Sequence, residues 1–406
     1  VGDVVVIGGG VAGLTAAIEL AAGGHGVEVL DAGDFDEGTS HGNAGLLCPS
    51  YVTPLASPKV LLTALGWLLR GDGPFSLARA PWRPGMAQWL ARFVAACART
   101  SEAQTRFLAG LARESIDWYE RFAQDSPAFG LRRSGWLYLY KTAKGFEEGV
   151  RHARAMARAG VASELLSSKQ ALDREPGLRA VAGAVRYPDD AHLDPHAFVR
   201  AARERAKAAG VRLRGSCRVS SIRDDGDRVV LATGDGEVSA SHAVLAAGAA
   251  TAALVEPLGL RLPVLPGRGH SASLISDYVP NTPLLFAEAH LVVTPMRGFV
   301  RMTTGLELGS SDPGPDRSQL DAMARHAGEF LAGPAPSFSD GWVGFRPLTP
   351  TGLPIVGPLT GHPRVVVSCG HGTLGMTLGP ATARIVRSAV EGRPVPPFVA
   401  PSRSGC

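Results

Sequence analysis

Gly8, Gly10 and Gly13 stand at the spacing G-x-G-x-x-G, directly after the apolar run Val4–Ile7. Each glycine answers a separate demand. The first permits a tight turn, the second lets the backbone approach a pyrophosphate, and the third lets a helix pack closely on a strand. A helix that begins there turns free N–H groups and the positive end of its dipole toward the phosphates. The pattern continues through Ala17, Leu20, Ala21, Gly24, Val27 and Val29 to Asp31, where a carboxylate can take a ribose hydroxyl pair. A glycine-rich turn without a ligand would not need that whole continuation. A dinucleotide is therefore expected at Gly8, Gly10, Val11, Ala12, Gly13 and Asp31, and the motif by itself does not separate NAD from FAD.

These residues need a βαβ unit to hold them. Val4–Ile7 reads as a buried parallel strand, 11–22 as a helix and Val27–Leu30 as a second strand. From 54 to about 130 the chain carries Trp, Leu, Ala and Arg at helical spacing, with "MAQWLARFVAACA" and "FLAGLARESIDWYERFA" as two helices; "GWLYLY" then reads as a strand. Segments 146–159 and 195–209 read as amphipathic helices, the second with Asp194 as N-cap and Pro195 at the first helical position. "VRLRG", "CRVSSI", "DRVVLAT" and "HAVLAAG" follow as strands. From 263 to 338 the pattern becomes short β-rich pieces, "GHSASLI", "HLVVTPM" and "GFVRMTT" among them, which predict an antiparallel sheet. "GPAPSFSDG" crosses back, "RVVVSCG" is a strand, and 373–391 is a helix stopped by Gly392 and Pro394. The predicted fold is α/β and α+β: a Rossmann-type nucleotide domain (1–85, 150–262 and 340–406) interleaved with a substrate domain (86–149 and 263–339) built on an antiparallel sheet.

At 406 residues, two interleaved domains are a better expectation than one core. Hydrophobic residues make up 45% and charged residues 19%, the balance of a globular protein. A net charge of +4 with no basic, aromatic-studded stripe argues against nucleic acid. The five cysteines are widely spaced without a CxxC pair, so neither a disulfide framework nor a metal site is expected, and a reducing compartment fits. No secretory signal is expected ahead of the first strand, which suggests a cytoplasmic protein. The apolar stretch Val60 to Leu69 is about half a bilayer span. Spanning is thereby excluded for it, while peripheral contact with the inner face of a membrane stays open.

Three further blocks choose the cofactor. "GTSHGNAGLLCPSYVTPLASP" resembles the flavin-loop segment of bacterial D-amino acid dehydrogenases and their glycine-oxidase and hydroxyproline-dehydrogenase relatives. "GFRPLTPTGLPIVGP", residues 344–358, resembles that superfamily's "G.RP.TPDG.P.IG", with Thr351 where the family often has Asp. "CGHGTLGMTLGPATARIVRSAVEGR" resembles its C-terminal flavin-binding helix. The blocks are spread from residue 38 to residue 393, so the chain resembles the D-amino acid oxidase and dehydrogenase superfamily over nearly its whole length.

The resemblance implies FAD, and no thiol stands in Phe345–Pro350, where some related amine oxidases attach theirs, so the flavin is expected to be non-covalent. It implies oxidation of a small amino acid, a D-amino acid with D-proline or hydroxyproline as a subset, by hydride transfer from Cα to flavin N5. The 36 arginines and 5 lysines cannot by composition identify a carboxylate anchor. The family's GFRP block gives that role to Arg346, whose planar fork suits a carboxylate. Arg301 is a second candidate, and His270, in the substrate sheet, a possible substrate contact. Ser40, Asn43, Ala44, Gly45 and Leu46 are expected along the flavin, with Leu46 an apolar wall near N5. Val219 is expected to offer backbone contacts to the adenine, Gly248 to contact the cofactor, and Gly372, Thr373, Leu374 and Gly375 to lie at the flavin ring. The electron acceptor, a quinone, oxygen or a partner protein, is open. The rival readings are a glycine- or sarcosine-type oxidase using oxygen and a non-catalytic flavin subunit of a dehydrogenase complex. An NAD-dependent dehydrogenase is disfavoured because none of these blocks serves a nicotinamide.

Overall fold

The computed structural model describes residues 3–54, 56, 75–77, 85–310, 312–334, 336–338 and 341–401. The apolar stretch from 60 to 69 lies outside them. Val4–Ile7 is buried along its whole length, as a run with both faces covered must be. It lies inside a six-stranded sheet in the order Ile355–Leu359, His362–Cys369, His242–Leu245, Val4–Ile7, Val27–Leu30, Arg212–Arg214. All neighbours are parallel except the first pair. Alternation divides the central strand between two cores. Val4 and Val6 pack under the helices, whereas Val5 and Ile7 meet a three-stranded antiparallel sheet, Val219–Asp224, Val229–Thr233 and Gly236–Ala240.

Val11–Ala22 packs against the C-terminal helix Gly375–Val390 and against Pro195–Ala208. Close approach depends on glycine here: a β-carbon at Gly13 would stand 1.8 Å from Gly8 O, and one at Gly379 would stand 3.0 Å from Val11 Cγ2. Asp194 caps Pro195–Ala208, accepting from His196 N at 3.0 Å and Ala197 N at 3.1 Å, as its sequence position predicts.

The second layer is a nine-stranded sheet. Its order is Trp342–Leu348, Leu265–Leu274, Val300–Leu308, Leu291–Pro295, Leu284–Phe286, Trp136–Tyr140, Gly183–Tyr187, Glu164–Ser167, with Phe75–Leu77 also beside Val300–Leu308. It is mainly antiparallel; Leu284–Phe286 on Trp136–Tyr140 and Phe75–Leu77 on Val300–Leu308 are the parallel pairs. Sheet membership cuts across the boundaries expected at 150 and 340, because Glu164–Ser167, Gly183–Tyr187 and Trp342–Leu348 all lie in this sheet. Pairing follows register and the burial of a face, which adjacency in sequence does not reveal.

Helix Arg317–Phe330 interrupts the segment read as short β pieces. Asp316 caps it, accepting from Ser318 N at 2.8 Å. Leu320, Met323, Ala327 and Phe330, at helical spacing, cover the sheet face that turns away from the nucleotide half. The C-terminal helix begins at Gly375 rather than at Thr373, and the residues before it form a turn.

Candidate active site

The carboxyl ends of four neighbouring parallel strands open onto one cavity of about 1260 Å³, whose lining includes Gly8, Asp31, Ala246 and Gly370. Open α/β sheets bind ligands outside such strand ends, where the strand order reverses, and here it reverses beside Val4–Ile7. At Gly8, φ is +108° and a β-carbon would stand 2.5 Å from Ala246 O, so this turn requires glycine. Gly10, Val11 and Ala12 line the cavity at the start of their helix. Asp31 ties that turn to its own strand end, Oδ2 accepting from Gly9 N at 2.6 Å and Oδ1 from Gly33 N at 2.9 Å. Val219 and Gly248 line the same end.

The loop after Asp31 returns to the helix start. Ser40 Oγ accepts from Val11 N at 3.0 Å. Asn43 folds the loop on itself, donating to Ser40 O at 3.0 Å and accepting from Gly45 N at 2.8 Å. Ser40, Asn43, Ala44 and Leu46 face the cavity. Gly13 and Gly45 do not line it. They allow close packing instead, and a β-carbon on Gly45 would stand 2.0 Å from Leu193 O.

Gly372, Thr373, Leu374 and Gly375 line the cavity where the C-terminal helix starts. Gly372 N donates to Pro347 O at 2.9 Å, which couples this turn to the strand carrying Arg346. His371 Nε2 meets Thr382 Oγ1 at 3.0 Å, and burial pulls the imidazole down to about 4, leaving it neutral. Thr351, the departure from the family's Asp, still supplies a turn acceptor: its Oγ1 takes Leu353 N at 3.3 Å.

Trp342, Gly344, Arg346 and Leu348 line the cavity from their strand, together with the intervening Phe345 and Pro347. Arg346 donates from Nη1 to Gly305 O at 2.5 Å, and no carboxylate lies in ion-pair range of it among the described residues. Burial pulls its guanidinium down, opposed by the Tyr51 phenol. Tyr51 is 41% exposed, but into the cavity, so burial still pushes its phenol up, and Arg346 eases that rise. Trp136 packs 5.5 Å from the Tyr51 ring. His290 lines the cavity with φ of +48°, its carbonyl accepting from Thr304 Oγ1 at 3.3 Å. Burial pulls its imidazole to about 4.

Two sequence candidates lie elsewhere. His270 points to the opposite face of the sheet, beneath helix Arg317–Phe330, because Gly269 and Ser271 take the cavity-facing positions of that strand. Its ring is 3% exposed and unpartnered among the described residues, and burial beside Arg268 pulls it down to about 4. Arg301 does not line the cavity either. Its Nη1 donates to His41 O at 3.1 Å and Asn43 O at 3.3 Å, so it holds the loop after Asp31 in place. Conversely, sequence reasoning gave no role to Tyr51, Trp136, His290 or Trp342. Tyr51 stood inside a recognised block, and Trp342 two residues before another.

Among the described residues no group of three or more metal-ligating side chains gathers, and no helix is long and apolar enough to cross a membrane.

Comparison with known proteins gives the same picture. D-amino acid dehydrogenase of Paramagnetospirillum magneticum is 35% identical, across 96% of this chain and 95% of the relative. D-amino acid dehydrogenase of Vibrio cholerae is 31% identical, across 95% of this chain and 94% of the relative. Among solved structures, glycine oxidase from Geobacillus kaustophilus superposes with a TM-score of 0.79 at 24% identity, covering 98% of this chain and 96% of that one. The family model described as FAD dependent oxidoreductase matches residues 3–389. With the family model over nearly all of its length and relatives above 30% identity, and with a glycine turn at one end of the cavity and, among the described residues, an arginine without a counter-ion at the other, the chain belongs to the FAD-dependent oxidoreductase family.

Proposed function

We propose that this protein is an amino-acid dehydrogenase that converts a small D-amino acid to its imino acid. One observation carries the reading: Arg346 faces the cavity with a backbone carbonyl as its sole hydrogen-bond partner among the described residues. A guanidinium so placed calls for an anion, and a substrate carboxylate matches its two parallel donors. The names of the relatives supply the D-amino acid.

The residues present fit FAD. Gly8 and Gly10 leave the backbone at the start of the first helix open to a pyrophosphate, as their absent β-carbons require. Asp31 and Val219 would hold the adenosine side with Gly248, and Ser40, Asn43, Ala44 and Leu46 the ribityl and ring. Gly372, Thr373, Leu374 and Gly375 would offer backbone at a helix start to the negative edge of the ring. FAD, when bound, supplies the acceptor for the hydride that leaves Cα. Arg346 binds and aims the substrate, while the neutral imidazoles of His290 and His371 add no competing positive charge. The lack of a thiol in Phe345–Pro350 supports non-covalent attachment, as does burial, which pushes the thiol of Cys48, one of three cavity-lining cysteines with Cys217 and Cys369, up and away from nucleophilic thiolate.

Anaerobic bleaching of the flavin against D- and L-amino acids, glycine, sarcosine, proline and hydroxyproline tests the reading without presuming an acceptor. Bleaching by D-amino acids supports it. Bleaching by glycine and sarcosine alone replaces it with the glycine-type reading, and no bleaching by any of them removes it. Oxygen, a quinone and a candidate partner protein then compete as oxidants of the reduced enzyme.

A further inference from the structure

Asp190 follows strand Gly183–Tyr187 and is fully buried. It has no cationic partner among the described residues, an arrangement that costs free energy unless the acid is well hydrogen-bonded. Both oxygens go to one residue. Oδ1 accepts from Ser50 N at 3.1 Å, and Oδ2 pairs with the Ser50 hydroxyl. The same hydroxyl meets Tyr138 OH at 3.1 Å, and Ser50 O lies 3.3 Å from His152 Nε2. All of the polar groups of Ser50 are thus fixed from behind, while the next residue, Tyr51, faces the cavity with Trp136 and His152.

We propose that Asp190 is a positioning residue for the substrate end: it clamps the Pro49–Tyr51 turn through Ser50 and so fixes Tyr51 in the space that Arg346 faces. This rests on the amino-acid reading above. Asp190 touches neither substrate nor flavin and acts through Tyr51.

The clamp has two states. The groups around the carboxyl are Asp189, its chain neighbour, Cys48 below the turn, and Tyr138 and Tyr187 on their strands, with His152 beyond Ser50. None is a fixed cation, and burial pushes Asp190 up to about 8. Below that pH the neutral carboxyl donates to Ser50 Oγ, whose proton turns to Tyr138. Above it the carboxylate accepts, both hydrogen bonds reverse, and an uncompensated charge stands behind the turn. The turn is held in both states, more tightly by the charge-assisted bonds of the carboxylate, so the pH effect comes from the charge itself: it opposes the substrate carboxylate, and substrate affinity falls as pH rises through about 8.

The experiment uses full-length, flavin-loaded protein and the amino acid that bleaches the wild type best. Asp190→Ala should raise KM about tenfold or more, the loss of about one hydrogen bond's worth of placement. Its kcat should change by less than about threefold and its flavin content not at all. Asp190→Asn, which copies the neutral state, should restore KM at pH 7 and abolish the wild-type rise in KM near pH 8. Amide exchange of the peptide spanning residues 48–54 should quicken in Asp190→Ala and stay slow in Asp190→Asn. Unchanged KM and unchanged exchange in Asp190→Ala overturn the proposal, as does an identical pH profile in wild type and Asp190→Asn. If Asp190→Ala does not fold, Asp190→Asn and Ser50→Ala carry the test through the pH profile. If no amino acid bleaches the wild type, the functional reading falls, and the exchange measurement still decides whether the clamp exists.

Discussion

The guanidinium of Arg346 lies over Gly269, and a β-carbon at Gly269 would stand 2.5 Å from Arg346 Cζ. Gly269 belongs to the strand between Arg346 and its hydrogen-bond acceptor, Gly305 O, and pairs there with Gly344. Arg346 thus reaches across a whole neighbouring strand through a trough left by missing side chains. Gly269→Ala should displace the guanidinium without touching the dinucleotide end. The expected result is a KM for the amino acid raised about tenfold to a hundredfold, an effect of about 1.4 to 3 kcal/mol, with full flavin content. A bleaching titration beside a flavin absorbance ratio checks both halves.

Arg346→Ala should leave FAD bound and nearly eliminate reduction by amino acid. Truncating one side of a buried charge pair costs about 2 to 5 kcal/mol, roughly 30-fold to several thousand-fold in affinity. Most of it should appear in KM, with further loss in kcat where Cα is misaimed. Arg346→Lys should recover part of this, keeping charge without the fork. Near wild-type kcat/KM in the alanine variant would remove Arg346 as the anchor.

Arg301→Ala and His270→Phe separate the two candidates that lie off the cavity. Arg301 bonds two carbonyls of the loop after Asp31. Its loss should weaken FAD binding about tenfold, in line with charged hydrogen bonds of about 1.5 to 3 kcal/mol, and move KM little. His270 lies under a helix on the far side of the sheet, so His270→Phe should keep flavin content and hold KM within about twofold while altering thermal stability. Flavin titration of the apoproteins and melting curves distinguish these outcomes.

Purified protein should be yellow, and acid should release intact FAD into the supernatant. Gly10→Val should purify colourless, since even a β-carbon at Gly10 would stand 3.0 Å from Ser40 Oγ and the rest would enter the phosphate space. Flavin retained by denatured wild-type chain would refute non-covalent attachment. Full occupancy in the variant would move the phosphates away from Gly10.

The nucleotide end was legible because its chemistry is local. Glycines and an acid at fixed spacing, with a strand and a helix around them, describe a turn that backbone sterics enforce. The substrate end is assembled from distant strands, and there the sequence misled on phase. His270 differs from Gly269 and Ser271 by one position, and one position on a strand is the other side of a sheet. The helix 317–330 carried a readable stripe, Leu320, Met323, Ala327 and Phe330, that the surrounding prolines and glycines obscured. Tyr51 was missed for another reason: its place in the cavity depends on a carboxyl, Asp190, that no spacing rule connects to it.

Strand Val4–Ile7 precedes its partners by more than two hundred residues: it hydrogen-bonds on one side to His242–Leu245, and that strand in turn to His362–Cys369. During synthesis the glycine turn therefore emerges long before the walls around it exist. A nascent chain halted before residue 242 would have the dinucleotide motif and three of the six strands of that sheet, with an apolar edge awaiting a partner. Cofactor capture consequently comes late in synthesis, and stalled chains should retain no flavin until strand His362–Cys369 and helix Gly375–Val390 have left the ribosome.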